Sequence, residues 1–331
     1  MKSIINSLKR THWLKASVAL LTCLSFLLLP SCQKDELDQD SLLNMDKMSP
    51  TALSSKDNLK NGGDYLYIAC ENSDYAVQYK MDGSGMIKQI CSGFWGISSL
   101  AINPITKELF LSDDNGTPGV YVVHSDQSIA GIGANGDNGN PNALGFDNRN
   151  GLLVADANGY ILRYDLTQNQ KTIIGVGFSC PEGIAFYNKT IYISDTRGYI
   201  YFIKSNDINL PIDGGDISCR LINTPLVEGT DGGLISDGKG QLYASDAHGK
   251  VVIVDVKNKS YEYINLGDGI RNRGLALIDN QNKLLVSDMD NNRILVVNLS
   301  DKSVSVFLEN SLLIGPFGLL VSNRDFGYFE R

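Results

Sequence analysis

Short apolar runs of about six residues recur along the chain from residue 64 onward, each bounded by polar turn residues. A Gly-, Asn- or Asp-containing turn follows each run, and a second run follows the turn, as in YILRYDL at 160–166. Runs of this length, rich in β-branched and aromatic residues, are typical of antiparallel strands. The most regular ones are YLYIACE (65–71), ELFLSDD (108–114), GLLVADA (151–157), TIYISDT (190–196), QLYASDA (241–247) and KLLVSDM (283–289).

These six runs align on one residue near their ends, which we call the marker. The markers are Cys70, Asp113, Asp156, Asp195, Asp246 and Asp288. Their spacings are 43, 43, 39, 51 and 42 residues, and the long spacing contains an insertion at 205–216. Four strands in a unit of this length, repeated radially, predict the blade of a β-propeller. We expect the marker carboxylates to accept backbone N–H bonds and fix the hairpins.

Six markers predict six blades over residues 62–331. The first unit lacks an opening strand, while the C-terminal end of the chain offers a spare one at 317–321. Pairing that strand into the first blade closes the ring and removes two exposed sheet edges. The predicted fold is therefore an all-β, six-bladed β-propeller of four-stranded antiparallel blades, closed by its C-terminal strand.

The N-terminal residues have the pattern of an export signal. Residues 1–15 carry four basic and no acidic side chains, and an apolar run of 14 residues follows at 16–29. That run is shorter than the roughly 20 residues of a membrane-spanning helix, so residues 1–31 are predicted to be a signal peptide. Leu29-Pro30-Ser31-Cys32 resembles the lipobox of bacterial lipoproteins, which implies a lipid on Cys32; the alternative is an unmodified Cys32.

We expect the polar segment 32–61 to be a tether that holds the propeller at the membrane through the lipid. The QKDE sequence at 33–36 resembles the surface-export signal of some Gram-negative lipoproteins. The predicted location is accordingly the cell envelope, at the outer membrane and on its surface.

Charge excludes one class of partner. The net charge is −8, from 29 basic and 37 acidic residues, and removal of residues 1–31 with their four basic side chains gives −8 − 4 = −12. A chain this acidic is not expected to bind nucleic acid.

Candidate chemistry lies where each innermost strand begins, because the opening residues of these strands point toward one end of the central channel. In each blade this opening residue precedes a pair that consists of Gly, Ser or Ala followed by Leu or Ile; Gly232-Gly233 fits the pair loosely. These opening residues form a predicted ring, namely Phe317, Ser98, Asn142, Glu182, Asp231 and Arg273. Asn142, Glu182 and Asp231 offer only oxygen ligands, which suit Ca²⁺ or another hard divalent cation. Alternatively, the guanidinium of Arg273 neutralises the carboxylates without metal.

Two related six-bladed groups share short motifs with the repeats. SDMDNNRILVVNL (287–299) resembles the NHL repeat, while NALGFD (142–147) and TDGGL (230–234) resemble blade openings of the SMP-30/gluconolactonase family. The latter resemblance implies a metal held by Glu, two Asn and Asp, with the Asp as general base in lactone hydrolysis. Asn142 and Asp231 match that set, whereas Glu182 replaces the second Asn and Phe317 replaces the Glu.

Two functions follow from these features. The favoured interpretation is a module that binds a small molecule, glycan or protein at the cell envelope. The alternative is a divalent-metal-dependent lactonase, with Asp231 as general base and with Arg273 and Ser98 in substrate binding, so the sequence leaves open whether the protein is an enzyme. Trp95 and Tyr187 either form a stacking wall for a sugar or pack within the fold.

Four cysteines remain after removal of the signal peptide and lipidation of Cys32. Export permits disulfides, and four cysteines allow three pairings. The pairs Cys70–Cys91, within the first blade, and Cys180–Cys219, within the fourth, are favoured by their positions.

Overall fold

The computed structural model describes residues 65–115, 118–132, 139–204, 211–226 and 232–330. The predicted signal peptide, Cys32 and the tether lie outside these ranges. Within them, no helix is both long and apolar enough to cross a membrane. Two short 3-10 helices, Ile217–Cys219 and Asp279–Gln281, accompany the strands.

Twenty-six strands make up the regular structure of the described residues. The first thirteen are β1 (Tyr65–Cys70), β2 (Ala76–Lys80), β3 (Ile87–Gln89), β4 (Cys91–Ser92), β5 (Ile97–Ile102), β6 (Leu109–Asp113), β7 (Gly119–Val123), β8 (Ile129–Ile132), β9 (Pro141–Phe146), β10 (Gly151–Asp156), β11 (Tyr160–Asp165), β12 (Gln170–Val176) and β13 (Pro181–Tyr187). The others are β14 (Thr190–Asp195), β15 (Ile200–Lys204), β16 (Ile212–Asp213), β17 (Leu234–Ser236), β18 (Gln241–Ser245), β19 (Lys250–Asp255), β20 (Ser260–Asn265), β21 (Asn272–Ile278), β22 (Lys283–Asp288), β23 (Arg293–Asn298), β24 (Val304–Glu309), β25 (Pro316–Ser322) and β26 (Phe329–Glu330).

These strands form six antiparallel blades, which confirms the predicted propeller. From the channel outward, the blades are β25-β1-β2-β3, β5-β6-β7-β8, β9-β10-β11-β12, β13-β14-β15, β17-β18-β19-β20 and β21-β22-β23-β24, numbered 1 to 6. The predicted closure is also confirmed, because β25 pairs with β1, with Tyr65 opposite Ser322 and Tyr67 opposite Leu320.

Blade 4 departs from the regular pattern at the insertion. In the described residues it has three strands, and only an isolated bridge between Tyr201 and Arg220 continues the sheet beyond β15. The insertion instead supplies β16, which pairs in parallel with β12 of blade 3. The segment 217–226, which we call the irregular segment, therefore takes the place of the predicted outer strand.

The core consists of six apolar clusters, each between two neighbouring blades. Successive residues of a strand alternate between the two interfaces. In β10, Leu152 and Val154 pack toward blade 2, whereas Leu153 and Ala155 pack toward blade 4. Because both faces of these strands are buried, the strands appear in the sequence as continuous apolar runs.

The residues after β25 add a feature that sequence analysis did not predict. Phe326 and Phe329 are buried in the cluster between blades 1 and 2. The hydroxyl of Tyr67 donates to the carbonyl of Arg324 at 2.6 Å. Finally, β26 pairs in parallel with β4. The C-terminal segment thus fills the interface between blade 1, in which the ring closes, and blade 2.

Candidate functional site

Five of the six predicted ring residues occupy equivalent positions in the structure. Ser98, Asn142, Glu182, Arg273 and Phe317 are each the second residue of an innermost strand, and all five are buried. Asp231 lies outside the described residues; Gly233, two positions later in the sequence, donates its N–H to the carbonyl of Arg273 at 2.8 Å. The small residues after the ring positions allow the blades to approach closely, since a Cβ on Gly274 would collide with the carbonyl oxygen of Phe317.

Asn142 and Glu182 are in direct contact. The Nδ2 of Asn142 donates to the Oε1 of Glu182 at 3.1 Å and to the carbonyl of Pro181 at 3.3 Å. The thiol of Cys180 donates to the same Oε1 at 2.9 Å. Burial and the Glu182 carboxylate raise the pKa of this thiol to about 12, so it stays protonated at neutral pH. Two of the three predicted metal ligands are therefore adjacent, with a thiol that the sequence analysis did not place there.

Arg273 and Ser98 differ in what they contact. The guanidinium of Arg273 lies 5.0 Å from the centre of the Phe317 ring and is almost fully buried, a geometry that allows cation–π attraction. The hydroxyl of Ser98 donates to the carbonyl of Pro141 at 2.9 Å and lies 2.8 Å from the Ser112 hydroxyl. Ser98 thus connects blades 2 and 3.

Two acidic residues that the sequence analysis missed lie at the same end of the channel. Glu71 and Asp114 directly follow the markers Cys70 and Asp113 of neighbouring blades. Each donates its N–H to the carbonyl of the glycine that precedes the innermost strand of its blade, Gly315 and Gly96. Burial, together with the carboxylates of Glu71 and Asp113, raises the pKa of Asp114 to about 7, although Arg273 opposes this shift. Their position directly after a marker is the feature of the sequence from which this location could have been predicted.

Trp95 is the most exposed large apolar residue of the described structure, at 71% exposure. It precedes β5, and its N–H donates to the marker carboxylate of Asp113 at 3.2 Å. The next residue, Gly96, lies against the side chain of Asp114. We use the term channel mouth for the end of the channel at which Trp95, Glu71, Asp114, Glu182 and Arg273 lie.

Tyr187 does not belong to the channel mouth. It ends β13, whose second residue is Glu182, so it lies at the opposite end of that strand. Its ring packs against the apolar cluster between blades 4 and 5. Of the two aromatic residues proposed for a stacking wall, only Trp95 is therefore at the site.

Four of the five marker aspartates, Asp113, Asp156, Asp195 and Asp246, accept backbone N–H bonds as predicted. Asp195 is fully buried and accepts the N–H of Ser179 at 2.7 Å and that of Arg197 at 2.9 Å. The carboxylate of Asp156 likewise accepts the backbone N–H groups of Asn140 and Asn158. Asp288 differs, because its carboxylate accepts hydrogen bonds from the side chains of Asn291 and Arg293.

The two favoured disulfides are wrong for this structure, because Cys70, Cys91, Cys180 and Cys219 are all free thiols. The sulfur of Cys70 faces the carbonyls of Ile68 and Leu312, whereas that of Cys91 accepts the N–H of Ala76. Cys180 faces Glu182, while Cys219 lies in the 3-10 helix Ile217–Cys219 that follows the insertion. The two cysteines of each predicted pair belong to the same blade, but they are not bonded to each other.

Comparisons with known proteins support the fold. No protein-family model matches the chain, and the search of curated proteins gave no significant match. Among similar solved structures is a chain from "Crystal structure of Nidogen/Laminin Complex", with 15% identity and a TM-score of 0.64. The match covers 78% of this chain and 98% of that chain. At this identity the likeness shows a common β-propeller fold.

Proposed function

We propose that the protein is an exported, lipid-anchored β-propeller that binds a ligand or protein at the cell envelope through its channel mouth. The observation that carries the proposal is the 71% exposure of Trp95, whose N–H donates to the buried carboxylate of Asp113. Exposed aromatic surface next to buried polar groups is typical of binding sites, where aromatic and charged anchors contribute most of the binding energy. The similar chain noted above comes, by its title, from a complex of two proteins, which is consistent with a binding role.

The NHL-like repeat at 287–299 and the lipobox-like segment before Cys32 supply the rest of the proposal. A lipid on Cys32 would retain the propeller at the membrane surface while the tether leaves the channel mouth accessible. Replacement of Cys32 by Ser should abolish incorporation of labelled palmitate and release the chain from the membrane fraction. Retention of both label and membrane association in this variant would contradict the anchor.

The binding role can be tested with arrays of glycans and peptides, probed with the full chain. Trp95→Ala should lose the ligands that the wild-type chain binds. Ile105→Ala is the matched control, because Ile105 is also exposed, at 59%, but follows the opposite end of β5. Equal loss in both variants, or no loss in Trp95→Ala, would exclude the channel mouth as the binding surface.

A metal-dependent lactonase is the second candidate, favoured by the 3.1 Å contact between Asn142 and Glu182. These side chains and Asp231 have the oxygen donors that a divalent cation prefers, although the described residues alone contain no cluster of three or more His, Cys, Asp or Glu that could hold a metal. A bound cation would supply an activated water. Asp231 would accept the proton of that water, and Arg273 would orient an acidic substrate.

Thermal unfolding with EDTA, Ca²⁺, Mg²⁺, Mn²⁺ or Zn²⁺ separates the two candidates. A metal that binds only the folded state raises the melting temperature. Asp231→Ala should abolish that rise, whereas Asp268→Ala, which removes an exposed carboxylate, should preserve it. A melting temperature that none of the metals changes would reject the metal site.

A further inference from the structure

A second site lies on the side of the propeller, between the irregular segment of blade 4 and the outer hairpin of blade 5. It is a groove of about 320 Å³ whose lining includes Ile217, Ser218, Arg220, Ile222, Asn223 and Lys259. This volume falls within the range of about 300–1,000 Å³ that small-ligand sites occupy. None of these residues belongs to the channel mouth.

The alternation of β20 explains why aromatic residues remain exposed beside this groove. Glu262 points toward blade 6, where its carboxylate accepts from the Nζ of Lys302 at 2.6 Å. Tyr261 and Tyr263 therefore point toward blade 4, and the hydroxyl of Tyr263 donates to the carbonyl of Leu226. The two rings pack edge to face and are 41% and 42% exposed. A regular outer strand in blade 4 would cover this face, but the described segment does so only in part.

The groove is cationic in a chain whose net charge is −8. The guanidinium of Arg220 lies 3.8 Å from the centre of the Tyr199 ring, and its Nε is buried with no hydrogen-bond acceptor in the described residues. Neither Arg220 nor Lys259 makes an ion pair within the part of the chain that the structure describes. The lining thus carries two positive charges and no carboxylate, so an anionic group in the groove would be attracted to it.

We propose that this groove binds an acidic carbohydrate, with a uronate carboxylate facing Arg220 and Lys259. Lys259 lies in the turn just before β20, and Tyr261 is the second residue of that strand, with an exposed ring that can pack against the apolar face of a sugar. Ser218 and Asn223 provide neutral donors and acceptors for hydroxyl groups. This combination of cations, open aromatic surface and neutral polar groups favours a sugar acid over an acidic peptide.

Isothermal titration calorimetry with digalacturonate tests the proposal, and its dimethyl ester is the matched neutral probe. The full chain should bind digalacturonate at least tenfold more tightly than the ester, and added salt should weaken the binding. Lys259→Gln should weaken binding about fivefold, because one charge-assisted contact is lost. Lys257→Gln, in the same hairpin but outside the groove lining, should bind as the wild-type chain does. Lys259 is exposed, so its replacement should leave the melting temperature unchanged.

Three outcomes would overturn the proposal. They are the absence of binding at millimolar digalacturonate, equal affinity for the acid and the ester, and equal effects of Lys259→Gln and Lys257→Gln. Tighter binding of a Glu-rich hexapeptide at the same residues would assign the groove to an acidic protein segment instead. Trp95→Ala should leave digalacturonate binding unchanged, so failure of this site and failure of the channel mouth can be distinguished.

Discussion

The hydroxyl of Ser287 donates a hydrogen bond of 2.8 Å to the backbone carbonyl of Phe317, thirty residues later in the chain. It also accepts the N–H of Gly274 at 2.7 Å. Ser287 immediately precedes the marker of blade 6, and Phe317 is the ring residue of blade 1. Ser245 makes the same type of contact from blade 5 to the carbonyl of Arg273, at 2.5 Å. In blades 5 and 6 the serine before the marker therefore joins its blade to the next one around the channel.

Ser287→Ala should lower the free energy of unfolding by about 1–3 kcal/mol, because a buried N–H and a buried carbonyl each lose a hydrogen bond. Urea denaturation followed by intrinsic fluorescence measures the change. Ser303→Ala, on the exposed outer hairpin of the same blade, should change it by less than about 0.5 kcal/mol. Similar values for the two variants would show that the contact between blades contributes little.

A pH-dependent stability should arise from Asp114. Burial and the nearby carboxylates of Glu71 and Asp113 raise its pKa to about 7, from an ordinary value of 3.8. Folding therefore favours the protonated form, and this contribution is lost as the pH rises through 7. Asp114→Asn removes the charge, so its gain in melting temperature over wild type should be about 2–4 °C larger at pH 8 than at pH 5.

Differential scanning calorimetry from pH 4 to pH 9 would measure this effect. Asp268→Asn replaces an exposed aspartate in another loop and should give a curve parallel to that of the wild-type chain. A parallel curve for Asp114→Asn as well would contradict the raised pKa.

The six blades were predictable because each repeats a physical requirement. The second strand of each blade is buried on both faces and ends at or next to the marker, which fixes the following turn. One such strand in every blade produces the regular spacing of the markers. The ring was predictable because a small residue must follow each ring position, as Gly318 does where a Cβ would lie 2.6 Å from the carbonyl oxygen of Ser98. A serine before the marker is visible in four of the six runs, but the contacts that Ser245 and Ser287 make with the next blade are not.

Other features depend on contacts that leave no period in the sequence. The parallel pairing of β16 with β12 involves two residue pairs, too few for a pattern. The cluster of Glu71 and Asp114 forms because two neighbouring blades bring together residues 43 positions apart. Cys180 and Cys219 belong to the same blade, yet Cys180 lies beside Glu182 at the channel and Cys219 lies in the 3-10 helix after the insertion.

The four cysteines offer a direct check of the thiol assignment. Alkylation of the unfolded chain without prior reduction, followed by peptide mass spectrometry, should label Cys70, Cys91, Cys180 and Cys219. In the folded chain, Cys70 and Cys91 should be protected because both are fully buried. Cys180 should react slowly at neutral pH, since its pKa is raised to about 12. Detection of a peptide joined through any two of these four residues would contradict the assignment.

Phe326→Ala tests whether the C-terminal segment stabilises the closed ring. Its ring packs edge to face on Tyr67 of β1, with centroids 5.3 Å apart, and its N–H donates to the Tyr67 hydroxyl. Loss of this buried ring should cost about 3 kcal/mol in the free energy of unfolding. Tyr328→Ala is the control in the same segment, because Tyr328 is 48% exposed, and it should cost less than about 1 kcal/mol. Equal costs in urea denaturation would mean that the segment lies on the ring without stabilising it. A selective cost at Phe326 would show that the ring is held closed by the contacts of the C-terminal segment as well as by the pairing of β25 with β1.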